Sequence, residues 1–308
     1  MSVVIPTYNR CGSLGEVISP VLADPCTGEI VVVVDGSRDG SLELLQEWAQ
    51  REPRIRAVFQ ENAGEGSARQ LGTERARFDV VVYLDDDVIA GDGLISGHAS
   101  RHADNARRLV QGYMPTRVPS PRRPGQSATF LYARDYENTC RMYEADPRAI
   151  LTHLWAGNLS LRRRDALEVG LVRPPALRYH EDARLGLRCR DAGLEATFDR
   201  ELLAWHRHQR DLNQFVAECR RSGAARARLV AEYPQQRDDI DPLAGLSAPV
   251  RLATRLLSAA GVRGVVAPLA QAASSIFGRL RAWPLEDLSA RVLRQVVLYS
   301  AYRGASGA

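Results

Sequence analysis

The chain has 308 residues and a formal net charge of +4, enough for one large core or one core with a small appended domain. Its 41 basic residues are all arginine and are spread along the sequence, and only 6% of residues are aromatic, which argues against a nucleic-acid partner. Five cysteines lack the spacing of a metal or redox site and indicate reduced thiols in the cytoplasm. We expect no secretory leader and no membrane span, because Met1 leads directly into an apolar run and no charge-free apolar stretch reaches about 18 residues.

Short apolar runs alternate with segments of helical length in the N-terminal part of the chain. The predicted strands are residues 2–5, 29–34, 56–59 and 80–84, and the predicted helices are 12–23, 41–51 and 64–75. This order predicts an α/β fold with a mostly parallel, Rossmann-like sheet flanked by helices. Since ligands of such sheets bind beyond the carboxyl ends of the strands, the polar motifs that follow these runs should converge there.

Further elements are predicted beyond the fourth strand. They are a helix near 93–103, a strand at 108–113, a proline-rich loop at 115–126, and helices at 127–144, 182–192 and 212–232. Residues 235–241 are polar and resemble a linker, and two or three amphipathic helices should follow in residues 247–308. This last segment has a charge of +6, because eight arginines stand against Glu286 and Asp287. It is interpreted as helices packed on the core, a membrane-surface attachment, or a site of self-association.

Three consecutive aspartates, Asp85, Asp86 and Asp87, directly follow the apolar run 80–84. Carboxylates this close repel one another, and one is protonated unless a positive charge offsets them. A divalent cation, bound by the carboxylate oxygens, would offset this negative charge. The alternative is a solvated acidic turn. Strand alternation would place Asp85 and Asp87 on one side.

Six motifs, in this order, resemble those of the family 2 glycosyltransferases, inverting enzymes with the GT-A fold that use nucleotide sugars. The motifs are residues 4–10, 33–41, 62–72, 84–87, 156–158 and 180–186. The resemblance covers residues 2–210 and not the last part of the chain. It implies a GT-A core at 1–210, with a nucleotide-binding half at 1–90 and an acceptor half at 91–210, and a helical C-terminal extension at 211–308.

The resemblance also implies a nucleotide site at the strand ends. Its residues are Pro6, Thr7, Tyr8, Asn9, Arg10, Asp35, Gly36, Arg69, Asp85 and Asp86. Asp35 would bind the base, although an aspartate before glycine is also common in turns and helix caps. Arg69 would lie near the diphosphate, with a solvated helix arginine as the alternative.

On the acceptor side, the resemblance assigns binding to Trp155, Gly157, Asn158 and Glu181, and the general base to Asp182. A carboxylate in the first turn of a helix is favoured in its ionised form, although simple capping of the helix explains it equally. Trp155 would stack on a sugar ring or simply pack.

The metal is expected to be Mg²⁺ or Mn²⁺, with Asp87 and His206 as its protein ligands. His206 and His208 lie two apart in an extended segment, so they should share a face, and a pair of partly exposed surface histidines is the alternative.

The predicted function is therefore the metal-dependent, inverting transfer of a sugar from a nucleotide-diphosphate sugar to an acceptor hydroxyl. UDP is the first choice of nucleotide, with GDP and TDP as alternatives, and the acceptor is a glycan, a lipid-linked sugar or a small molecule. A sugar-nucleotide nucleotidyltransferase and a non-catalytic nucleotide-binding scaffold are the alternatives. The expected location is the cytoplasm, with peripheral contact at the inner face of the membrane, or homo-oligomerisation, through the C-terminal helices.

Overall fold

Eight β-strands form one mixed sheet in the computed structural model, which describes residues 1–104, 106–172, 177 and 179–306. The strands are β1 Ser2–Thr7, β2 Glu29–Asp35, β3 Ile55–Gln60, β4 Val80–Leu84, β5 Val88–Ala90, β6 Arg108–Tyr113, β7 Asn158–Arg162 and β8 Glu195–His206. Their order is β3-β2-β1-β4-β7-β6-β8-β5. The N-terminal strands β1 to β4 are paired in parallel, as are β6 and β8, whereas β7 is antiparallel to β4 and β6, and β5 to β8. The predicted α/β sheet is confirmed, and antiparallel pairing begins at β7.

The sheet lies in the first of two compact units, which is formed by Met1–Arg117, Tyr136–Ala176 and Glu181–Arg207. Its helices are α1 Leu14–Ala23, α2 Ser41–Arg51, α3 Glu65–Arg75, α4 Leu94–Arg101, α6 Arg163–Val169 and α7 Glu181–Asp191, with a 3-10 helix at Pro147–Leu151. The chain between α4 and α6 also includes α5, Ser127–Ala145, which belongs to this unit from Tyr136 onward.

Side chains of the central strands are buried on both faces of the sheet. Val3 and Ile5 pack in one apolar cluster with Leu14 of α1, whereas Val4, between them, packs in a second cluster with Ala68 of α3. Since both faces are covered, these strands need no polar alternation, and their continuous apolar sequence follows from that. The structure adds elements that we did not predict, among them β5, β7 and α6, and it extends β8 over twelve residues.

The second unit is formed by Val118–Asp135, Leu177–His180 and His208–Ala308. Its further helices are α8 Leu212–Glu232, α9 Arg237–Ile240, α10 Ala248–Leu257, α11 Ala260–Arg279 and α12 Trp283–Ala305, with a 3-10 helix at Pro234–Gln236. Phe215 and Cys219 of α8 pack in one cluster with Leu293 and Val297 of α12, so α12 is a core helix of this unit.

No single helix in the described residues is both long and apolar enough to cross a membrane. The bent pair of α10 and α11 meets that test only when its two helices are taken together, by length and composition.

Candidate active site

The loops after β1, β2 and β4 meet at one edge of the sheet, because these neighbouring strands are parallel and end there. Pro6 and Thr7 are buried at the end of β1, and Tyr8 is exposed just beyond it. The backbone N–H of Tyr8 donates a hydrogen bond to Oδ2 of Asp86 over 3.2 Å. The structure therefore brings the first loop into direct contact with the aspartate triplet.

The first and second loops are also linked to each other. The N–H of Asn9 donates to Oγ of Ser37 over 2.9 Å, and the N–H of Arg38 donates to Oδ1 of Asn9 over 3.0 Å. Asn9 has a φ of 53°, in the left-handed region that asparagine tolerates better than most residues. This reciprocal pair holds the two loops side by side.

Asp35 is buried at the end of β2, and its carboxylate fixes the loop that precedes α3. Oδ1 accepts hydrogen bonds from Gln60 Nε2 at 2.7 Å and from the N–H of Ala63 at 2.8 Å, and Oδ2 accepts one from the N–H of Gly64 at 2.9 Å. Gly36 follows with a φ of +74°, and an added Cβ would lie 2.8 Å from the backbone nitrogen of Asn62. Only glycine therefore fits this tight turn.

Arg69 of α3 is buried and joins two carboxylates. Its Nη2 donates to Oδ1 of Asp85 over 2.6 Å and also pairs with Glu65, one helical turn before it. Asp182, in the first turn of α7, adds a third negative charge close enough to stabilise the guanidinium. The arginine thus links α3, the aspartate triplet and α7. Its solvated alternative is wrong, because the side chain has only 7% exposure.

Asp182 is half-buried in the first turn of α7, and the loss of solvation there raises the pKa of its carboxyl above the ordinary aspartate value. Its Oδ1 accepts a hydrogen bond from the N–H of Ala183 over 2.8 Å, which opposes that rise, as does the charge of Arg69. The hydrogen bond from Ala183 fits the interpretation of Asp182 as a helix cap. The raised pKa fits the interpretation as a general base, because such a carboxylate binds a proton more tightly.

Asp86 and Asp87 share the guanidinium of Arg10. Nε of Arg10 lies 3.4 Å from Oδ1 of Asp86, and its Nη2 lies 3.4 Å from Oδ2 of Asp87. Burial raises the pKa of Asp86 to about 6, and the charge of Asp87 contributes to that rise. The expected strand alternation does not extend into the triplet, because β4 ends at Leu84 and the aspartates form a turn.

His206, the last residue of β8, lies against the triplet. Its Nε2 is 3.3 Å from Oδ1 of Asp87. His208 instead stacks on Tyr132 in the second unit, with ring centroids 3.7 Å apart. Both histidines are buried, so the alternative of a partly exposed pair is wrong. In the described parts of the chain, no group of three or more His, Cys, Asp or Glu side chains is arranged to hold a metal.

The segment predicted to bind the acceptor, residues 155–158, lies beside the triplet. The N–H of Asp85 donates to the carbonyl oxygen of Gly157 over 3.3 Å. An added Cβ on Gly157 would lie 2.7 Å from Oδ2 of Asp85 and 2.8 Å from Sδ of Met114. Trp155 is half-buried and packs edge-on against Tyr136, with ring centroids 5.0 Å apart.

Asn158 is fully buried at the start of β7, in a polar network below the site. Its Nδ2 donates to the carbonyl oxygen of Leu202 at 2.9 Å, and its Oδ1 lies 3.0 Å from Nε2 of His98. Burial lowers the pKa of His98 to about 4, so its imidazole is neutral at pH 7. Nδ1 of this ring lies 2.8 Å from Oγ of Ser160. Direct contact between Asn158 and an acceptor would require some of these bonds to open.

Glu181, the predicted partner of Asp182, lies against the N-terminal turn of α3. A Cβ added at Gly66 would lie 3.1 Å from Cγ of Glu181. Sequence reasoning did not single out Glu65, whose four-residue spacing from Arg69 is the signal that could have identified the pair. The network around His98 was also missed, because histidines 58 to 62 residues from Ser160 carry no local pattern.

Comparison with known protein families identifies the family of this chain. The model of the family described as "Glycosyl transferase family 2" matches residues 2–170, more than half of the chain. A validoxylamine A glucosyltransferase of Streptomyces hygroscopicus subsp. jinggangensis is 31% identical over 255 residues, covering 72% of this chain and 60% of that protein. The uncharacterized glycosyltransferase YfnE of Bacillus subtilis is 24% identical over 254 residues, covering 67% of this chain and 64% of YfnE. The chain thus spans less than two thirds of these relatives.

Solved structures show the same fold. The mannosyltransferase PcManGT of Pyrobaculum calidifontis, in complex with GDP-Man and Mn²⁺, superposes with a TM-score of 0.60 at 18% identity, covering 95% of this chain and 85% of that one. S. aureus TarS 1–349, in complex with UDP-GlcNAc, has a TM-score of 0.54 at 15% identity, covering 96% and 91%. These likenesses, with the observed sheet, confirm the predicted GT-A fold.

Proposed function

The chain belongs to glycosyl transferase family 2, and from this membership we propose that it transfers a sugar from a nucleotide-diphosphate sugar to an acceptor hydroxyl. The observation that carries the proposal is the position of Arg69, which binds Asp85 of the triplet and lies within electrostatic reach of Asp182. Residues proposed for the donor and for the base are thus held in one charged cluster.

We assign the donor site to the loops at the strand ends. Its residues are Pro6, Thr7, Tyr8, Asn9, Arg10, Asp35, Gly36, Arg69, Asp85 and Asp86. The link between Asn9 and Ser37 and the short contact of Tyr8 with Asp86 support a preformed cleft edge. A diphosphate would attract Arg10 and Arg69, both of which now pair with aspartates. UDP is our first choice of nucleotide, with GDP and TDP as alternatives. PcManGT is in complex with GDP-Man, and TarS 1–349 is in complex with UDP-GlcNAc.

Asp182 is proposed as the general base. In the inverting reaction, its carboxylate takes the proton of the acceptor hydroxyl while that oxygen forms a bond to the anomeric carbon. The bond from this carbon to the diphosphate oxygen breaks, and the nucleoside diphosphate leaves with the electron pair. The raised pKa of Asp182 supports the role, because a base works best when its pKa approaches the working pH. Glu181, with Trp155, Gly157 and Asn158, is assigned to the acceptor side.

Asp87 and His206 offer a carboxylate and an imidazole, two ligand types that a divalent cation can take. The two side chains are in contact, with Nε2 of His206 3.3 Å from Oδ1 of Asp87, and the carboxylate of Asp86 is adjacent in the chain. We propose that Asp87 and His206 hold Mg²⁺ or Mn²⁺, with the diphosphate completing the ligand shell. Bound there, the cation would supply positive charge to the leaving diphosphate.

We assign the transferase core to residues 1–210, with its nucleotide-binding half at 1–90 and its acceptor half at 91–210. Residues 211–308 are assigned to a helical extension. The acceptor is a glycan, a lipid-linked sugar or a small molecule. The family match at residues 2–170 supports the position of the core.

A panel of UDP-, GDP- and TDP-sugars tests the function, with thermal stability and sugar transfer measured in Mn²⁺, Mg²⁺ or EDTA. A ligand at about 100 times its Kd should stabilise the fold by about 2.7 kcal/mol. We expect one nucleotide class to stabilise the protein in the presence of metal, and to be cleaved when a hydroxyl acceptor is supplied. Release of pyrophosphate from a nucleoside triphosphate and a sugar phosphate would instead establish a nucleotidyltransferase. Binding without turnover over a broad acceptor panel would favour a scaffold.

A further inference from the structure

Large apolar side chains are exposed mainly in one part of the second unit. Of the fourteen that are exposed in the described chain, eight lie between residues 250 and 280, on α10, α11 and the residue after α11. They are Val250, Leu252, Leu256, Val262, Val265, Leu269, Ile276 and Leu280. A concentration of this kind is unusual on a free surface and marks a contact site.

The exposed residues of α11 lie on one face of the helix. Val262, Val265, Leu269 and Ile276 are separated by three, four and seven residues, which is the spacing of a single helical stripe. Leu269 is 63% exposed, so no other part of the described chain covers the centre of this stripe.

Helix α10 repeats the pattern on a shorter scale. Leu252 and Leu256 are one turn apart and exposed, and Arg251 and Arg255 form a parallel row about 100° around the helix. Only Thr254 of this helix is buried. An exposed apolar row beside an arginine row is the pattern of a helix that lies in an interface between water and lipid.

The charge of this region has one sign. Residues 247–282 contain five arginines and no aspartate or glutamate. The arginines are Arg251, Arg255, Arg263, Arg279 and Arg281, and all are exposed. None of the five forms an ion pair with a carboxylate of the described residues, in contrast to Arg51 and Arg148, which pair with neighbouring acids.

We propose that this surface, which we call the α10–α11 face, attaches the protein to an anionic lipid bilayer. Its leucine, valine and isoleucine side chains would enter the interface, and its arginines would remain at the level of the lipid phosphates. The charge favours this partner over a second copy of the chain, because two such faces would bring ten unpaired arginines together. The proposal concerns attachment alone, so it is independent of the proposed transferase activity.

Flotation of the full-length protein with vesicles tests the proposal. At low salt, the protein should bind vesicles of phosphatidylglycerol mixed with phosphatidylcholine, and not vesicles of phosphatidylcholine alone. Added salt should weaken the binding. Each basic residue near an anionic surface strengthens binding about fivefold, so Arg251→Gln with Arg255→Gln should lower partitioning about 25-fold. The control variant, Arg51→Gln with Arg148→Gln, removes the same charge from exposed sites of the first unit. It should change partitioning onto anionic vesicles by less than about twofold.

A second pair of variants tests the apolar part. Leu252→Gln with Leu256→Gln, and Val265→Gln with Leu269→Gln, should each lower partitioning at least about tenfold. These residues are exposed, so circular dichroism and the Tm should match the wild type.

Three outcomes would overturn the proposal. The first is the absence of binding to anionic vesicles at low salt, and the second is equal binding to both vesicle types. The third is a dimer, seen by sedimentation velocity without lipid, that the leucine and valine variants dissociate. That result would make the face an interface between copies of the chain.

Discussion

The backbone of Asp85 is hydrogen-bonded to that of Gly157 over 3.3 Å, and the Asp85 side chain occupies the space that a Cβ on Gly157 would need. The start of the aspartate triplet therefore takes its position from the segment that contains Gly157, which we propose for the acceptor side. A Cβ on Gly157 would lie only 2.7 Å from Oδ2 of Asp85, so even an alanine at this position must displace the carboxylate or the strand.

Gly157→Ala should therefore displace Asp85, which we propose for the donor site. We expect kcat/KM for transfer to fall about tenfold or more, because a displacement of about 1 Å at a reacting group is costly. The control is Gly12→Ala, because a Cβ added at Gly12 meets nothing within 4 Å. Gly193 would not serve, since its φ is positive and an alanine there would be strained. Wild-type kinetics in Gly157→Ala would show that the contact relaxes without effect.

Asp182→Asn should abolish transfer and leave nucleotide binding nearly intact. The amide has the shape of the carboxylate but cannot take the acceptor proton, so kcat should fall about 10²–10⁴-fold. Asp191→Asn, at the exposed end of the same helix, should retain wild-type kcat. If Asp182→Asn keeps more than about a tenth of the turnover, another group is the base.

The pH profile should report the same residue. A base must be ionised, so kcat falls by about tenfold per pH unit once the pH drops below the pKa of Asp182. Burial raises that pKa above 3.8, which moves the acid limb to higher pH than an ordinary aspartate would give. The measurement is kcat against pH at saturating substrates, and the limb should be missing from the residual activity of Asp182→Asn. An acid limb at 3.8 or lower would contradict the assignment.

Asp35→Ala should weaken nucleotide affinity more than it lowers kcat. The carboxylate also accepts bonds from the N–H groups of Ala63 and Gly64, so its loss should cost about 1–3 kcal/mol of stability as well. Asp39→Ala is the matched control, because Asp39 accepts bonds from Cys11 and Ser41 in the adjoining loop. Calorimetry should show a larger loss of nucleotide affinity in Asp35→Ala than in Asp39→Ala. Equal losses of affinity in the two variants would mean that Asp35 has only a structural role.

In the second unit, Arg122→Ala should destabilise the fold. Its guanidinium binds the fully buried carboxylate of Glu286 at 2.8 Å and Asp287 at 2.6 Å, so its removal leaves a buried charge without its partner. We expect a loss of about 2–4 kcal/mol by urea denaturation. Arg123→Ala, at an exposed neighbouring position, should stay within about 0.5 kcal/mol of the wild type. A similar stability for both variants would show that the ion pairs of Arg122 contribute nothing measurable to the fold.

Much of the sheet and the position of the site follow from local sequence. Residues 3–6, 30–34 and 80–84, which precede Thr7, Asp35 and Asp85, are all apolar, and this indicates strands covered on both faces. Parallel strands bring their ends to one edge of the sheet. The fold could therefore be predicted before any side-chain contact was known.

The pairing of individual charges could not be predicted in this way. Asp85 turns towards Arg69, while Asp86 and Asp87 turn towards Arg10, because the strand ends at Leu84 and the turn sets each direction. Likewise, the burial of Asn158 depends on partners far along the chain. The assignment of individual site residues to donor, acceptor and metal remains a prediction.

The reciprocal hydrogen bonds between Asn9 and the segment of Ser37 and Arg38 have a thermodynamic consequence. Two independent loops would each lose conformational freedom when a ligand settles between them, at about 1–2 kcal/mol for every backbone residue that becomes fixed. Here that ordering occurs during folding, and the left-handed backbone of Asn9 is already in place. A nucleotide bound by this pair of loops would therefore contact a backbone that is already ordered. Less of the free energy of its contacts would be lost to ordering the loops, and its affinity would be higher.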